Sequence, residues 1–228
     1  MSKFELVAIP VKSNSYEKPE RKNQNIDSKK YDKIDKECSE NVFLSNDGNV
    51  YIPVKSVPTI INQQKKRANY IIDNIISDAD KRNIAGQEVI NSAGINYYLD
   101  KNSHQTRDAE DAELNRYARN HLIGIGDSDQ AEAIRRQLDT HTNKELPKLK
   151  KQRGSDVDEI TGEPLEKKAA FHHSNEKEIF NYPNDVLDPE KGINVNDETH
   201  KEIHRLNIMD SETLEKNKEK IKKNITKK

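Results

Sequence analysis

The sequence predicts an α+β protein in two parts: a helical/β N-terminal region, then a smaller C-terminal module of two short strands and a helix. Three observations predict this. Hydrophobic residues make up 32% of the 228 residues and charged ones 35%, so no large single core is expected. Helical periodicity is concentrated in the middle of the chain, with β-favouring apolar runs before and after it. A proline and a basic stretch near residue 150 divide two segments of different character.

Residues 1–60 read as short strands and polar loops. "FELVAIPV" is β-favouring, Glu17 to Glu40 is largely polar and reads as loop, and "NVFLSNDGNVYIPV" reads as a hairpin. Asp47-Gly48 supplies its turn, because glycine tolerates the positive φ that tight hairpins demand. Residues 61–143 read as helical. In "KKRANYIIDNIISDADKR", Ala68, Ile71, Ile72, Ile75, Ile76 and Ala79 follow the spacing of one helical face. A second helix spans about Asp108 to Leu122 and is ended by Gly124 and Gly126. A third runs from Ser128 or Asp129, as N-cap, to about Leu138.

Residues 144–155 read as a basic linker beginning near Pro147, with Lys144, Lys148, Lys150, Lys151 and Arg153 set against Glu145. Residues 156–210 form the second module. Residues 211–228 are a lysine-rich helix or tail with seven lysines from Leu214 onward.

Composition limits function. A net charge of -1 gives no whole-molecule attraction to polyanions, so nucleic-acid binding must come from the local basic segments. The single cysteine, Cys38, excludes an intrachain disulfide framework and a multi-thiolate zinc site. It lies in a charged stretch with no histidine nearby in sequence, which argues against a thiol nucleophile. "GIGDSD" follows a helix rather than a strand and so does not fit a phosphate-cradling loop. "MSKFELVAIPVKSNS" is too interrupted by charge and proline for a secretory signal, and no apolar run is long enough to span a membrane. The expectation is a cytoplasmic protein with no membrane partner, with export independent of a cleavable signal left open.

Four of the seven histidines fall between His172 and His204. "DEITGEPLEKKAAFHHS" reads as a turn at Thr161–Pro164 followed by a strand ending in the His172-His173 pair. "GINVN" reads as a second strand, and "NDETHKEIHRLNIMD" as a helix capped by Asn196 or Asp197. His200 and His204, four apart, project from one helical face as two metal ligands must. If the helix packs across the strands, three imidazoles can converge on one divalent ion with a fourth beside it. A metal held by neutral imidazoles keeps its charge for a phosphate oxygen, and a histidine can take a proton from water near neutral pH. His104, His121 and His141 read as surface or structural residues.

From Asp156 to Asn207, under a quarter of the chain, the order and spacing resemble the HNH endonucleases with their ββα-metal finger, closest to the nuclease-colicin-like branch. "ITGEPL" before the histidine pair and "GINVN....HKEIH" after it are similar to that family's flanking segments. The resemblance implies His172, His200 and His204 as metal ligands, and His173 as the general base in DNA phosphodiester hydrolysis. It implies one divalent ion, with magnesium, manganese, nickel and zinc all open. The family's middle asparagine corresponds to Lys191, and Asn194, Asn196, Asn175 or Asn181 can take over its orienting role. Lys167, Lys168 and Arg205 are candidate phosphate contacts, and the lysine-rich tail is a candidate DNA track. Three biological forms follow: a stand-alone nuclease, a toxin effector with an immunity or regulatory protein as partner, and a non-catalytic DNA-binding protein that keeps the finger as a folding staple.

Overall fold

The computed structural model describes residues 5–173 and 186–226. It is α+β and divides into two compact units, with the division falling between Leu138 and Asp139.

The first unit is built on an antiparallel five-stranded sheet of order β1-β2-β3-β5-β4, with β1 Ala8–Pro10, β2 Phe43–Ser45, β3 Val50–Pro53, β4 Lys81–Ile84 and β5 Gln87–Asn91. The β2–β3 hairpin turns at Asp47-Gly48. Gly48 has φ +79°, and the Asp47 carboxylate accepts from the Asn49 N–H and the Tyr51 hydroxyl. Helices α1 (Ser28–Glu40), α2 (Val57–Ile60), α3 (Lys65–Asn74), α4 (Ser92–Gln105) and α5 (Ala109–Gly126) complete the unit. Its core joins Ile34, Leu44, Ile52, Ile71, Leu99 and Leu114.

Four expectations are corrected here. Part of the segment expected to be loop, Glu17–Glu40, is helix α1: Asp27 caps it, and Tyr31, Ile34 and Cys38, at helical spacing, are buried. The periodic helix α3 stops at Asn74, leaving Ile75 38% exposed. The region expected to be helical contains the β4–β5 hairpin, whose turn residues Ala85 and Gly86 have φ +50° and +80° and whose Gly86 N–H is accepted by the Asn83 side chain. Helix α5 runs on through Gly124 and ends only at Gly126. A side chain at Gly124 would press on the Tyr16 ring at 3.3 Å, so this glycine permits close packing within the helix.

His121 is fully buried in this unit, where its Nε2–H donates to Asp35 and its Nδ1 accepts from the Tyr16 hydroxyl. Burial pushes its pKa down despite the carboxylate, so the ring is a neutral structural residue. Cys38 is buried, and desolvation pushes its thiol up, which leaves it unreactive.

Helix α6 (Asp129–Arg153) runs through Pro147, so the expected boundary there is a continuous helix. The buried Leu149 secures its last turns, and Gly154, at φ +71°, ends it.

The second unit contains the end of α6, strands β6 (Ala170–His173) and β7 (Gly192–Val195), helix α7 (Asp197–Arg205) and helix α8 (Ser211–Thr226). A turn at Gly162 precedes β6, with φ +80°. Ile160, Val195, Ile203, Ile208, Leu214 and Ile221 form the core, so the lysine-rich segment is an amphipathic helix laid on the finger. Among the described residues, no helix is long and apolar enough to cross a membrane.

Candidate metal centre

Strands β6 and β7 pair antiparallel, with His172 opposite Ile193 and His173 opposite Gly192. Because side chains alternate across a strand, the adjacent histidines leave the sheet on opposite faces. His172 shares the face of Ile193, which packs with Val195 and Ile203 against α7. That helix begins in the extended backbone of Asn196 and presents Thr199, Glu202 and Ile203 inward. His200 and His204 follow on the flank facing His172.

One ligand nitrogen from each of His172, His200 and His204 lies within 4.8 Å of the others. The rings meet nearly perpendicular, at 5.4, 5.8 and 4.5 Å between centroids. The Nε2 atoms of His200 and His204 are 3.2 Å apart. Two ligands of a tetrahedral zinc, each about 2.05 Å from the ion, stand about 3.3 Å apart, so the donor set fits. The same spacing allows an N–H···N hydrogen bond between neutral rings in metal-free protein. His172 is buried at 8% exposure while His204 is exposed, so the cluster opens on one side, as a site with a free coordination position must.

His173 lies on the other face, its ring edge-on to Phe171 at 5.0 Å. Its Nε2 is 2.9 Å from the Val186 carbonyl. A carbonyl only accepts, so Nε2 carries the proton and the neutral ring has its lone pair on Nδ1. Leu146, Pro147 and Lys150 of α6 and Ala169, Ala170 and Phe171 line a groove of about 330 Å³ beside this histidine.

Asn194 and Asn196 brace the finger from buried positions. The Asn194 amide donates to the carbonyls of Lys150 and Ser155, tying β7 to the end of α6. The Asn196 side chain does not cap α7; it accepts from the Glu166 N–H and donates to the Pro164 carbonyl. Lys191 closes an exposed 3-10 turn, Pro189–Lys191, just before β7. Lys167 and Lys168 are exposed. Arg205 is held by both carboxylate oxygens of Glu202 at 2.6 and 2.7 Å, so its guanidinium is already committed within its own helix. In α8, Lys216, Lys218 and Lys222 pair with Glu212, Glu215 and Glu219, so three of the tail's lysines are engaged within the helix. Asn175 and Asn181, the other candidates for the orienting role, lie outside the described residues.

Sequence reading missed the residues that shape this site from a distance. Asp158, fully buried, accepts from the N–H groups of Ile160, Thr161 and Asn196. Burial pushes its carboxyl up, but these bonds and one from the Thr199 hydroxyl outweigh it and hold the pKa below the usual range. Arg153 grips Glu159 with two nitrogens and also meets Glu190. Gly192 is the third: a Cβ there would lie 2.5 Å from the His172 carbonyl oxygen and would strike the Phe171 ring. Gly192→Ala is therefore expected to force the strands apart beneath both histidines, at a cost of about 1–3 kcal/mol, read as a lowered melting temperature together with weakened zinc binding. A variant that melts and binds zinc like wild type would show that the strand pair tolerates the methyl group.

No family model, curated protein or solved structure matches this chain.

Proposed function

We propose that the protein is a metal-dependent endonuclease of the HNH type that hydrolyses phosphodiester bonds in DNA. The observation that carries this reading is the convergence of His172, His200 and His204 from a strand and a helix, with His173 next to the first of them. His172, His200 and His204 would hold the ion. When bound, it supplies positive charge to the phosphate and to the departing oxygen. His173 would act as the general base toward the attacking water, its ring oriented by the Nε2–H that it donates to the Val186 carbonyl. Phe171, packed edge-on, flanks that ring and limits its turning.

The test is nicking of supercoiled plasmid by wild type and His173→Ala after chelation, with magnesium, manganese, nickel or zinc restored singly, beside metal-binding calorimetry. Wild type is expected to nick, and His173→Ala to bind metal normally while nicking about 10²–10⁴ times more slowly, the usual contribution of a general base. Undiminished cutting by His173→Ala would remove it from that role. A second reading, a DNA-binding protein with a structural metal finger, is favoured by the exposed turn at Lys191 where the family places asparagine. Tight metal binding by wild type with no cutting under any ion would select it.

A further inference from the structure

The basic stretch that the sequence marks as a linker is the end of helix α6, and the nuclease reading leaves it without a role. One side of this stretch, formed by Leu146, Pro147 and Lys150, is a wall of the groove that His173 lines. Lys150 is fixed there, its Nζ donating to the Ala169 carbonyl at 3.0 Å. The next side, moving round the helix, carries Lys144, Lys148 and Lys151, all exposed. Their spacing of four and three residues sets them in one row, and at 1.5 Å rise per residue the row is about 10 Å long. Glu145 pairs with Lys148 at 2.6 Å on the surface, an exposed pair that is easily exchanged.

From this arrangement we infer that the last three turns of α6 are a DNA-backbone rail: Lys144, Lys148 and Lys151 contact successive phosphates, and the groove between α6 and β6 beside His173 receives the stretch of backbone that flanks the cleaved phosphate. The inference rests on the nuclease reading. Its ligand is the sugar-phosphate backbone, because the row offers charge and no planar hydrogen-bonding pattern that would read bases. The binding it supports is sequence-tolerant and strongly salt-dependent.

The test uses the intact 228-residue chain, chelated so that nothing is cut, and a short fluorescent DNA duplex whose anisotropy is followed between about 50 and 200 mM salt. Lys144→Gln/Lys148→Gln/Lys151→Gln is expected to weaken binding and to lower the slope of log affinity against log salt by about 2–3, close to one for each phosphate that is no longer neutralised. The corresponding triple arginine variant is expected to keep the wild-type slope. Leu146→Glu, which places a carboxylate in the groove wall, is expected to weaken DNA binding while leaving zinc affinity at the wild-type value. A wild-type slope in the glutamine variant overturns the rail. Metal-dependent nicking by wild type with that result leaves the nuclease reading standing, whereas wild type that neither binds nor nicks DNA overturns both.

Discussion

On the proposed metal centre, His200→Ala is expected to lose zinc binding and, with it, the stability that the ion lends the C-terminal unit. Its imidazole is the middle member of the cluster, close to both His172 and His204. Removing it leaves two nitrogens from different elements, and a chelate of two holds zinc far less firmly than one of three. Loss of an outer-shell partner alone weakens metal sites by about 10–100-fold, so loss of a ligand should exceed that. Zinc at about a thousand times its Kd stabilises a folded unit by about 4 kcal/mol. For a unit of this size that corresponds to roughly 15–30 °C in melting temperature. Scanning calorimetry of wild type and His200→Ala, each with zinc and with chelator, measures the difference directly. A wild-type melt that ignores zinc, or a variant that retains wild-type zinc affinity, would remove the three-histidine centre.

The second large effect lies away from the histidines. Asp158→Ala is expected to destabilise the C-terminal unit by about 3–5 kcal/mol, because each buried donor left without an acceptor costs about 1–3 kcal/mol and Asp158 serves the backbone of Ile160, Thr161 and Asn196. Asp158→Asn keeps the shape but turns a donor toward one of those donors, so it should fall between the two. The pH dependence follows from the carboxyl's depressed pKa in the folded protein. The stabilisation is fully present above the unfolded carboxyl value of about 3.9 and is lost as pH falls through the lower folded value. Urea melts of wild type and Asp158→Asn should therefore differ by a constant amount near neutral pH and converge below about pH 4. A gap that stays open in acid would show that shape, and not charge, makes Asp158 necessary.

What the sequence made legible was local. His200 and His204 are one turn apart in any helix, and the His172-His173 pair is adjacent by covalent structure, so their relation needed no knowledge of the rest of the chain. The Asp47-Gly48 hairpin was legible for the same reason. Helix α1 was not, because its charged surface outweighs the three buried positions that make it a helix, Tyr31, Ile34 and Cys38. The β4–β5 hairpin was hidden because Gly86 is the one residue of its turn that carries a turn signal, while Ala85 beside it also takes positive φ without one. Asp158 and Asn194 were invisible as structural anchors because the bonds that tie them across the fold reach far along the chain, to Asn196 and Lys150, and only the Asp158 bonds to the Ile160 and Thr161 N–H groups are local. Their chemistry depends on tertiary placement, and spacing rules do not reach it.

The ties at the end of α6 bear on how this protein can be divided. Arg153 to Glu159, Lys150 to the Ala169 carbonyl, and the Asn194 amide to the Lys150 carbonyl all cross the line that the motif alone would draw at residue 156. A fragment cut there would keep His172, His173, His200 and His204 and lose the helix that walls the groove and accepts from Asn194. The transferable piece, in cloning or in gene exchange, thus begins within the preceding helix, and its natural seam lies upstream of the residues by which the motif is recognised.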